Sequence, residues 1–458
     1  MKQRLLLLNN VVMDLGYATS LLRHSTTCWT LLSNHHHHHP IARHYSNSKL
    51  NHTNTSNHTL YHPISEGFFE WSKRLDNISS LAATCKEQTL HHEEKTRIPS
   101  SSDSLQLILL ANASYSQSLA LQTYLFDFIK SQKSNSRRSQ YLIATEHVES
   151  CFTIGKLRFD ETFSQRHFIK NDRELKIYKI GRGGGITFHG PGQLVLYPIF
   201  DLETSRVLMR NIKWFSDEFM LKTLTVPVLQ EFVNSMVATK ESFSNKCDLE
   251  KGDGSRMHLT NHSPISLHVG GESEMGIYSE IHSFKENVKM KEFTQQLSSC
   301  CDQPHEQIKS KRKLASIGLQ LSRWCTMHGI AINLDLNERD LKTFREDIVA
   351  CGLQHVTMTS LAQEIERVKH EQHHDVVAKD IHEGNSHAFS FTTGHYGELL
   401  SLLLKHLQRC QFQIDDILLV DGLQTSKSRW LLKPECTDDS AKDKLLQFIK
   451  ANLSTDEA

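Results

Sequence analysis

Long hydrophobic runs are absent from this chain. No stretch of eighteen apolar residues occurs in its 458, so no helical membrane span is expected. Net charge is absent too: 52 Lys and Arg balance 52 Asp and Glu. Bulk electrostatics therefore point to no nucleic acid or other polyanionic partner. The ten cysteines form no CxxC pair and no regular spacing, which argues against a disulfide framework and fits reduced thiols inside a cell. Apolar content is 38%, low for a compact globule, and implies polar tails or insertions around a smaller core.

Acid is scarce at one end. Residues 1–65 hold one carboxylate, Asp14, beside Lys2, Arg4, Arg23, Arg43, Lys49 and many hydroxyl and amide side chains. The apolar run Leu5–Leu8 is too short for a secretory signal and is broken by Asn9 and Asn10. Acid-poor leaders of this kind read as organelle transit peptides. "ARHYS" (Ala42 to Ser46) suits a mitochondrial processing site. The expectation is a transit peptide over 1–45, a polar low-complexity leader over 46–104, and a mitochondrial matrix location. The run His35–His39 is low complexity and would pick up metal adventitiously.

Glycine is concentrated in "GRGGGITFHGPGQ" (Gly181 to Gln193). Its flanks, "LKIYKI" and "LVLYPIFDL", read as strands. Bare backbone between two strands suits either a turn or a surface approached closely by a ligand, and the flanks favour the ligand. A Walker A loop is excluded, because no lysine stands in the stretch. A Rossmann fingerprint is disfavoured, because a proline and a second strand follow where a helix should open.

Elsewhere, "LQLILLANA" reads as a strand and Tyr115 to Gln132 as an amphipathic helix. Ser139 to Gly155 reads as strand, loop, strand, and Asn211 to Val233 as helical segments interrupted at Pro227. "KLASIGLQL" and "HGIAINLDL" read as antiparallel neighbours joined by "SRWCTM". Strict alternation places Lys313 on the same face as Ala315, Ile317, Leu319 and Leu321. Such a lysine either snorkels at the strand end or is a buried amine. Cys351 precedes Gly352 on a loop ahead of a helix beginning near Thr359–Ser360; the pattern alone does not separate a packing cysteine from a nucleophile. "HEQHH" (His370 to His374) matches the HExxH zinc pattern. It lies in polar surroundings without an evident third ligand, so no metal site is expected.

Taken in order, RGGGITFHGPGQ, KLASIG, HGIAIN and ACGLQ resemble the lipoyl(octanoyl)transferase family. "ATEHVESCFTIGK" and "MGIYSE" resemble two further strands of that family. The resemblance spans about Leu105 to Ile365. It implies an α/β fold: a mixed-sheet, lipoate/biotin ligase-like catalytic domain over 105–410, with polar insertions near 235–274, 281–312 and 366–388 and a C-terminal extension over 411–458. It implies octanoyl transfer from octanoyl-acyl carrier protein to a lipoyl-domain lysine, with no cofactor. The implied acceptors are the glycine cleavage H protein and 2-oxoacid dehydrogenase E2 subunits. Cys351 is the implied thioester-forming nucleophile. Lys313 is the implied partner that lowers its pKa and shuttles protons. The implied substrate-binding residues are Arg182, Gly183, Gly184, Gly185, Ile186, Thr187, Phe188 and His189, then Ser316, Ile317 and Gly318, then Gly329, Ile330 and Ala331. An ATP-dependent lipoate or biotin-type ligase and a non-catalytic lipoyl-domain scaffold stay open as alternatives. Ligases of that kind differ at the glycine segment and need no cysteine. The scaffold would not need Lys313 and Cys351 intact.

The leader carries its own prediction. N-terminal sequencing of the protein recovered from mitochondria should find a chain beginning near Ser46. A working protein that retains residues 1–45 would contradict it.

Overall fold

The strand-forming runs assemble into two sheets. The computed structural model describes residues 61–85, 102–132, 140–156, 167–170, 173–237, 263–271, 275–281, 311–346, 356–373, 389–432 and 439–453. Helix α1 (Ile64–Cys85) is followed by strand β1 (Asp103–Ala113), helix α2 (Tyr115–Ser131) and β2 (Gln140–His147). Four short strands come next: β3 (Cys151–Ile154), β4 (His167–Lys170), β5 (Arg173–Lys179) and β6 (Ile186–His189). β7 (Gln193–Ile199) leads to α3, a continuous helical run of Ile212–Trp214, Phe215–Thr225 and Val226–Val237. Then come β8 (Ile265–Val269), β9 (Ile277–Ile281), β10 (Lys311–Ser322), β11 (Cys325–Asn333) and α4 (Glu338–Glu346). The last elements are β12 (Val356–Met358), α5 (Leu361–His373), α6 (Thr393–Arg409), β13 (Phe412–Asp421), β14 (Arg429–Leu432) and α7 (Asp439–Asn452).

The large sheet runs β14-β13-β1-β2-β7-β11-β10-β9-β8, with β12 pairing β10. The small one runs β4-β5-β3-β6. β13, β1 and β2 are parallel, and β2 to β8 continue antiparallel. This is the mixed α/β sheet expected above. Its parallel strands are covered on both faces, which is why Leu107 to Ala111 form an unbroken apolar run, all fully buried. One face packs under α1, α3, α5 and α6 through Phe68, Trp71, Phe219, Ile365 and Leu403. The other packs under α2 and α7 through Leu121, Phe126, Leu445 and Ile449. A third cluster, with Phe152, Phe188, Leu336 and Met358, seats the small sheet.

Several expectations change. α3 does not break at Pro227, because Phe215–Thr225 is a π-helix. Proline has no N–H to donate and its ring crowds the carbonyl of the preceding turn, and the wider π turn absorbs the misfit. Hydroxyls of Thr223 and Thr225 then donate to Glu218 O and Met220 O, each at 2.6 Å. The connection of β10 to β11 is a two-residue turn, Arg323–Trp324, with φ of 48° and 60°. Two positive φ values are what a type I′ hairpin requires.

The polar-leader boundary at 104 falls beyond α1, whose Ile64, Phe68 and Trp71 are core residues. β8 lies inside the segment assigned to the first insertion, and 281–312 overlaps both β9 and β10. The segment 366–388 begins within α5. The region 411–458 is no appendage: β13 pairs parallel with β1 in the sheet interior. Its core pairing bridges some 300 residues of chain, which local composition does not report.

β13 and α7 are joined by a buried ion pair, Lys442 Nζ to Asp416 Oδ1 at 2.7 Å. Removing one partner strands the other charge in a dry layer. Asp416→Ala should cost about 3–5 kcal/mol in urea denaturation. A loss below about 1 kcal/mol would mean that the C-terminal region is a dispensable extension.

Candidate active site

The glycine segment lies across the end of β10. Gly183 N donates to Leu319 O at 2.9 Å, Lys156 N to Arg182 O at 3.0 Å, and Gly155 N to Gly185 O at 3.0 Å. Beneath it runs the Arg182 side chain, 5% exposed. Its guanidinium donates to Gly183 O, Thr153 O, Thr153 Oγ1 and Thr187 Oγ1 at 2.8–2.9 Å. The glycines make room for it. A Cβ on Gly318 would sit 2.8 Å from Arg182 Cδ, and one on Gly155 2.8 Å from Nη1.

A hydrogen-bond chain runs on from the guanidinium. Thr153 Oγ1 lies 3.3 Å from His189 Nε2, and His189 Nδ1 lies 2.8 Å from Gln193 Oε1. Gln193 uses its amide N–H groups on Phe188 O and Asn333 Oδ1. Its oxygen therefore accepts from His189 Nδ1–H, which leaves Nε2 to accept from Thr153. Asn333 Nδ2 donates to Thr359 O at 3.0 Å, and Thr359 N donates to Lys313 O at 3.0 Å. The HGPGQ turn is thus a lock between the glycine segment and the strand that bears Lys313. Gly192 completes it: its φ is +84°, its N–H donates to Glu146 Oε1 at 2.8 Å, and a Cβ there would collide with Asp335 O.

A narrow cavity of about 280 Å³, counted to its mouth, opens beside this lock. Arg182, Thr187, His189, Ser316, Gly318, Gly329, Ile330 and Ala331 all line it. Gly183, Gly184, Gly185 and Ile186 are half-buried and lie outside its wall. Phe188 packs against Phe152 instead, at 5.7 Å between ring centroids. Ile317 packs with the α3/α6 core on the opposite face. Tyr115, Tyr197 and His328 are lining residues that the sequence reading left out. Tyr115 opens α2 and stacks on His189 at 5.6 Å and 23°. His147, also left out, touches both rings edge-on and pairs with Tyr197 OH at 2.8 Å. His147 stands in the segment "ATEHVESC", and only the fold brings it to Tyr197.

Burial sets the charge of this cavity. It pushes His147 down to about 3. His328 falls to about 4 through burial and then the Arg182 charge. His189 is held well below its ordinary value by burial, His147 and Arg182. All three imidazoles are therefore neutral at neutral pH. Arg182 is then the charged side chain among the described lining residues.

Lys313 is 1% exposed, so it is the buried amine rather than a snorkelling one. It does not share the face of Ala315. A β-bulge shifts the register between them, so that Lys313 faces Tyr278 while Ala315 faces Ile277. The bulge turns Lys313 to the face that carries Ser316 and Gly318. Its Nζ donates to Met275 O at 2.7 Å and lies 5.6 Å from the centroid of the Tyr278 ring. β12 pairs beside it, with Met358 opposite Lys313. Cys351 falls in the link between α4 and β12 and lies outside the described residues. Burial raises the thiols of Cys151 and Cys410, and Cys325 is fully buried. Cys151 and Cys325 lack the exposure that a reactive thiol needs, and Cys410 is half-buried with its thiol raised rather than activated.

His370 of the HExxH match is exposed and pairs with Glu366 at 3.0 Å, while His374 lies outside the described residues. No cluster with metal-ligand potential occurs among the described residues.

Residues 114–226 match the lipoyl protein ligase A/B catalytic domain. An octanoyltransferase of Flavobacterium johnsoniae is 28% identical over 291 residues, covering 60% of this chain and 94% of its own length. One from Cytophaga hutchinsonii is 26% identical over 265 residues, covering 55% of this chain and 80% of its own. Over this region the chain is similar to the lipoyl(octanoyl)transferases. These relatives, named octanoyltransferases, support an acyltransferase. Among solved structures, the bipartite lipoate protein ligase of Thermoplasma acidophilum aligns over 78% of this chain and 95% of its own, at 12% identity and a TM-score of 0.33. No described helix of the chain is long and apolar enough to cross a membrane.

The neutral imidazoles make stability pH-dependent. His328 has a folded pKa near 4 against an ordinary 6.5. Its contribution is complete above pH 6.5 and is lost as pH falls toward 4, at up to about 1.4 kcal/mol per pH unit. Melting between pH 7 and 5 should therefore fall more steeply in the wild type than in His328→Asn. Asparagine tolerates the left-handed backbone there, where φ is 63°. Equal slopes would show that His328 has the same pKa in the folded and unfolded chain.

Proposed function

We propose that this protein transfers an octanoyl group from octanoyl-acyl carrier protein to the lysine of lipoyl domains through a thioester on Cys351. The acceptors are the glycine cleavage H protein and the 2-oxoacid dehydrogenase E2 subunits, and the location is the mitochondrial matrix. The observation that carries the mechanism is Lys313: a fully buried amine, turned by a bulge onto the cavity face, beside the strand that follows the Cys351 link.

In the first step the Cys351 thiolate attacks the donor carbonyl. The C–S bond to the carrier breaks, and the carrier thiol leaves with a proton supplied by Lys313. In the second, the acceptor lysine amine attacks the new thioester. It becomes an amide, Cys351 leaves as thiolate, and the proton lost by the acceptor amine passes to Lys313. An ammonium beside Cys351 favours its thiolate. The dry wall of Val195, Ile330 and Ala331 offers the acyl chain an apolar surface. Arg182, committed to four protein acceptors, shapes the pocket more than it binds charge.

The test is incubation with octanoyl-acyl carrier protein alone, without ATP, followed by intact-mass analysis. One hydroxylamine-labile octanoyl adduct is expected on Cys351, and none on Cys351→Ala. Lys313→Ala should acylate slowly at pH 7, where an ordinary thiol is only about 3% ionised, and partly recover as pH rises. An ATP requirement would favour the ligase alternative. A wild-type rate for Lys313→Ala at every pH would remove Lys313 from the mechanism.

A further inference from the structure

We infer that the Met275–Gly276 step ahead of β9, together with the Tyr278 ring, positions the Lys313 amine, and that Gly276 is a positioning residue for the acyl transfer. The inference rests on the role proposed for Lys313 above.

Three observations carry it. First, the Met275 carbonyl accepts the hydrogen bond from Lys313 Nζ at 2.7 Å, giving a buried amine a polar partner in an apolar wall. Second, Gly276 is the floor on which that side chain runs. A Cβ there would collide with the Ala315 carbonyl oxygen and would lie 2.5 Å from Lys313 Cε and 3.1 Å from Nζ. Its φ of +150° is also one that side-chain-bearing residues rarely adopt. Third, the strand that Gly276 opens makes the bulge: Lys313 pairs with Tyr278 and Ala315 with Ile277, two steps on one strand against one on the other. Without that extra residue, alternation would put Lys313 on the α3/α6 face, where Ala315 packs. One short segment therefore supplies the acceptor, the clearance and the facing of the amine. A substitution at Gly276 should act by moving Nζ rather than by touching substrate.

The experiment is a double-mutant cycle on the full chain, read as single-turnover acylation from octanoyl-acyl carrier protein between pH 6 and 9. Gly276→Ala should slow acylation at pH 7 by about tenfold or more and move the acid limb of the profile upward, as Lys313→Ala does. In the Lys313→Ala background, which has no Cε or Nζ to displace, the fold-loss caused by Gly276→Ala should be at least several times smaller than in the wild type, because only the clash with the Ala315 carbonyl remains. Any loss of fold through the backbone strain is common to both backgrounds and cancels. If Gly276→Ala does not yield soluble protein, Tyr278→Leu takes its place in the same cycle. It removes the ring facing Nζ, while Tyr278→Phe should behave as the wild type. Equal fold-losses with and without Lys313, or an unmoved pH profile, would overturn the inference while leaving the role of Lys313 intact. A wild-type rate in Lys313→Ala alone would overturn both.

Discussion

A buried guanidinium organises this molecule. Arg182 donates to two backbone carbonyls and two threonine hydroxyls of the small sheet and its loop, which ties Thr153 of β3 and Thr187 of β6 to the glycine segment. A charge this deep is costly unless its donors are used. The surrounding residues use them: Gly155 and Gly318 give it space, and Thr153 and Thr187 give it acceptors. Through Thr153, His189, Gln193, Asn333 and Thr359 the same interaction reaches the backbone of Lys313. The glycine-rich stretch is therefore a fitted cover over one cation.

That fixed charge also sets the cavity's chemistry. Burial, and after it the Arg182 charge, keeps His189 and His328 neutral, and burial does the same for His147. Neutral imidazoles and tyrosine rings around Val195 and Ile330 make a wall suited to an acyl chain rather than to a phosphate. The amine is kept apart from this cation, at the bulge in β10, where it faces Tyr278 and the Met275 carbonyl. The guanidinium serves the structure, and the separate amine is the group proposed for the chemistry.

Much of this was legible beforehand. The period-two run of β11, the helical spacing of α2 and the order of the glycine, lysine and HG segments all report local geometry, and each lies where it was expected. Several residues carried over from the resemblance, among them Arg182, His189, Ser316, Gly318 and Ala331, converge on one cavity. Gly183 to Gly185 and Ile186 do not line it. Phe188 and Ile317 sit nearby in sequence yet pack into other clusters, because neighbours on a strand point to opposite faces. Tyr115, His147, Tyr197 and His328 went unnoticed because each is an ordinary residue in its own segment. They become a site only when β2, β7, β11 and the start of α2 meet.

The sequence by itself determined the family, the strand and helix periods and the candidate amine and thiol, because motif spacing and alternation are properties of short windows. Tertiary structure alone decided the rest. The chain from β13 to α7 belongs to the core because its partner strand is far away in sequence. α1 is core, although it lies in a polar leader, because its apolar face meets α6. Lys313 lies on the sheet face opposite Ala315 because a bulge in its pairing with β9 overrides the alternation that its own strand would have imposed.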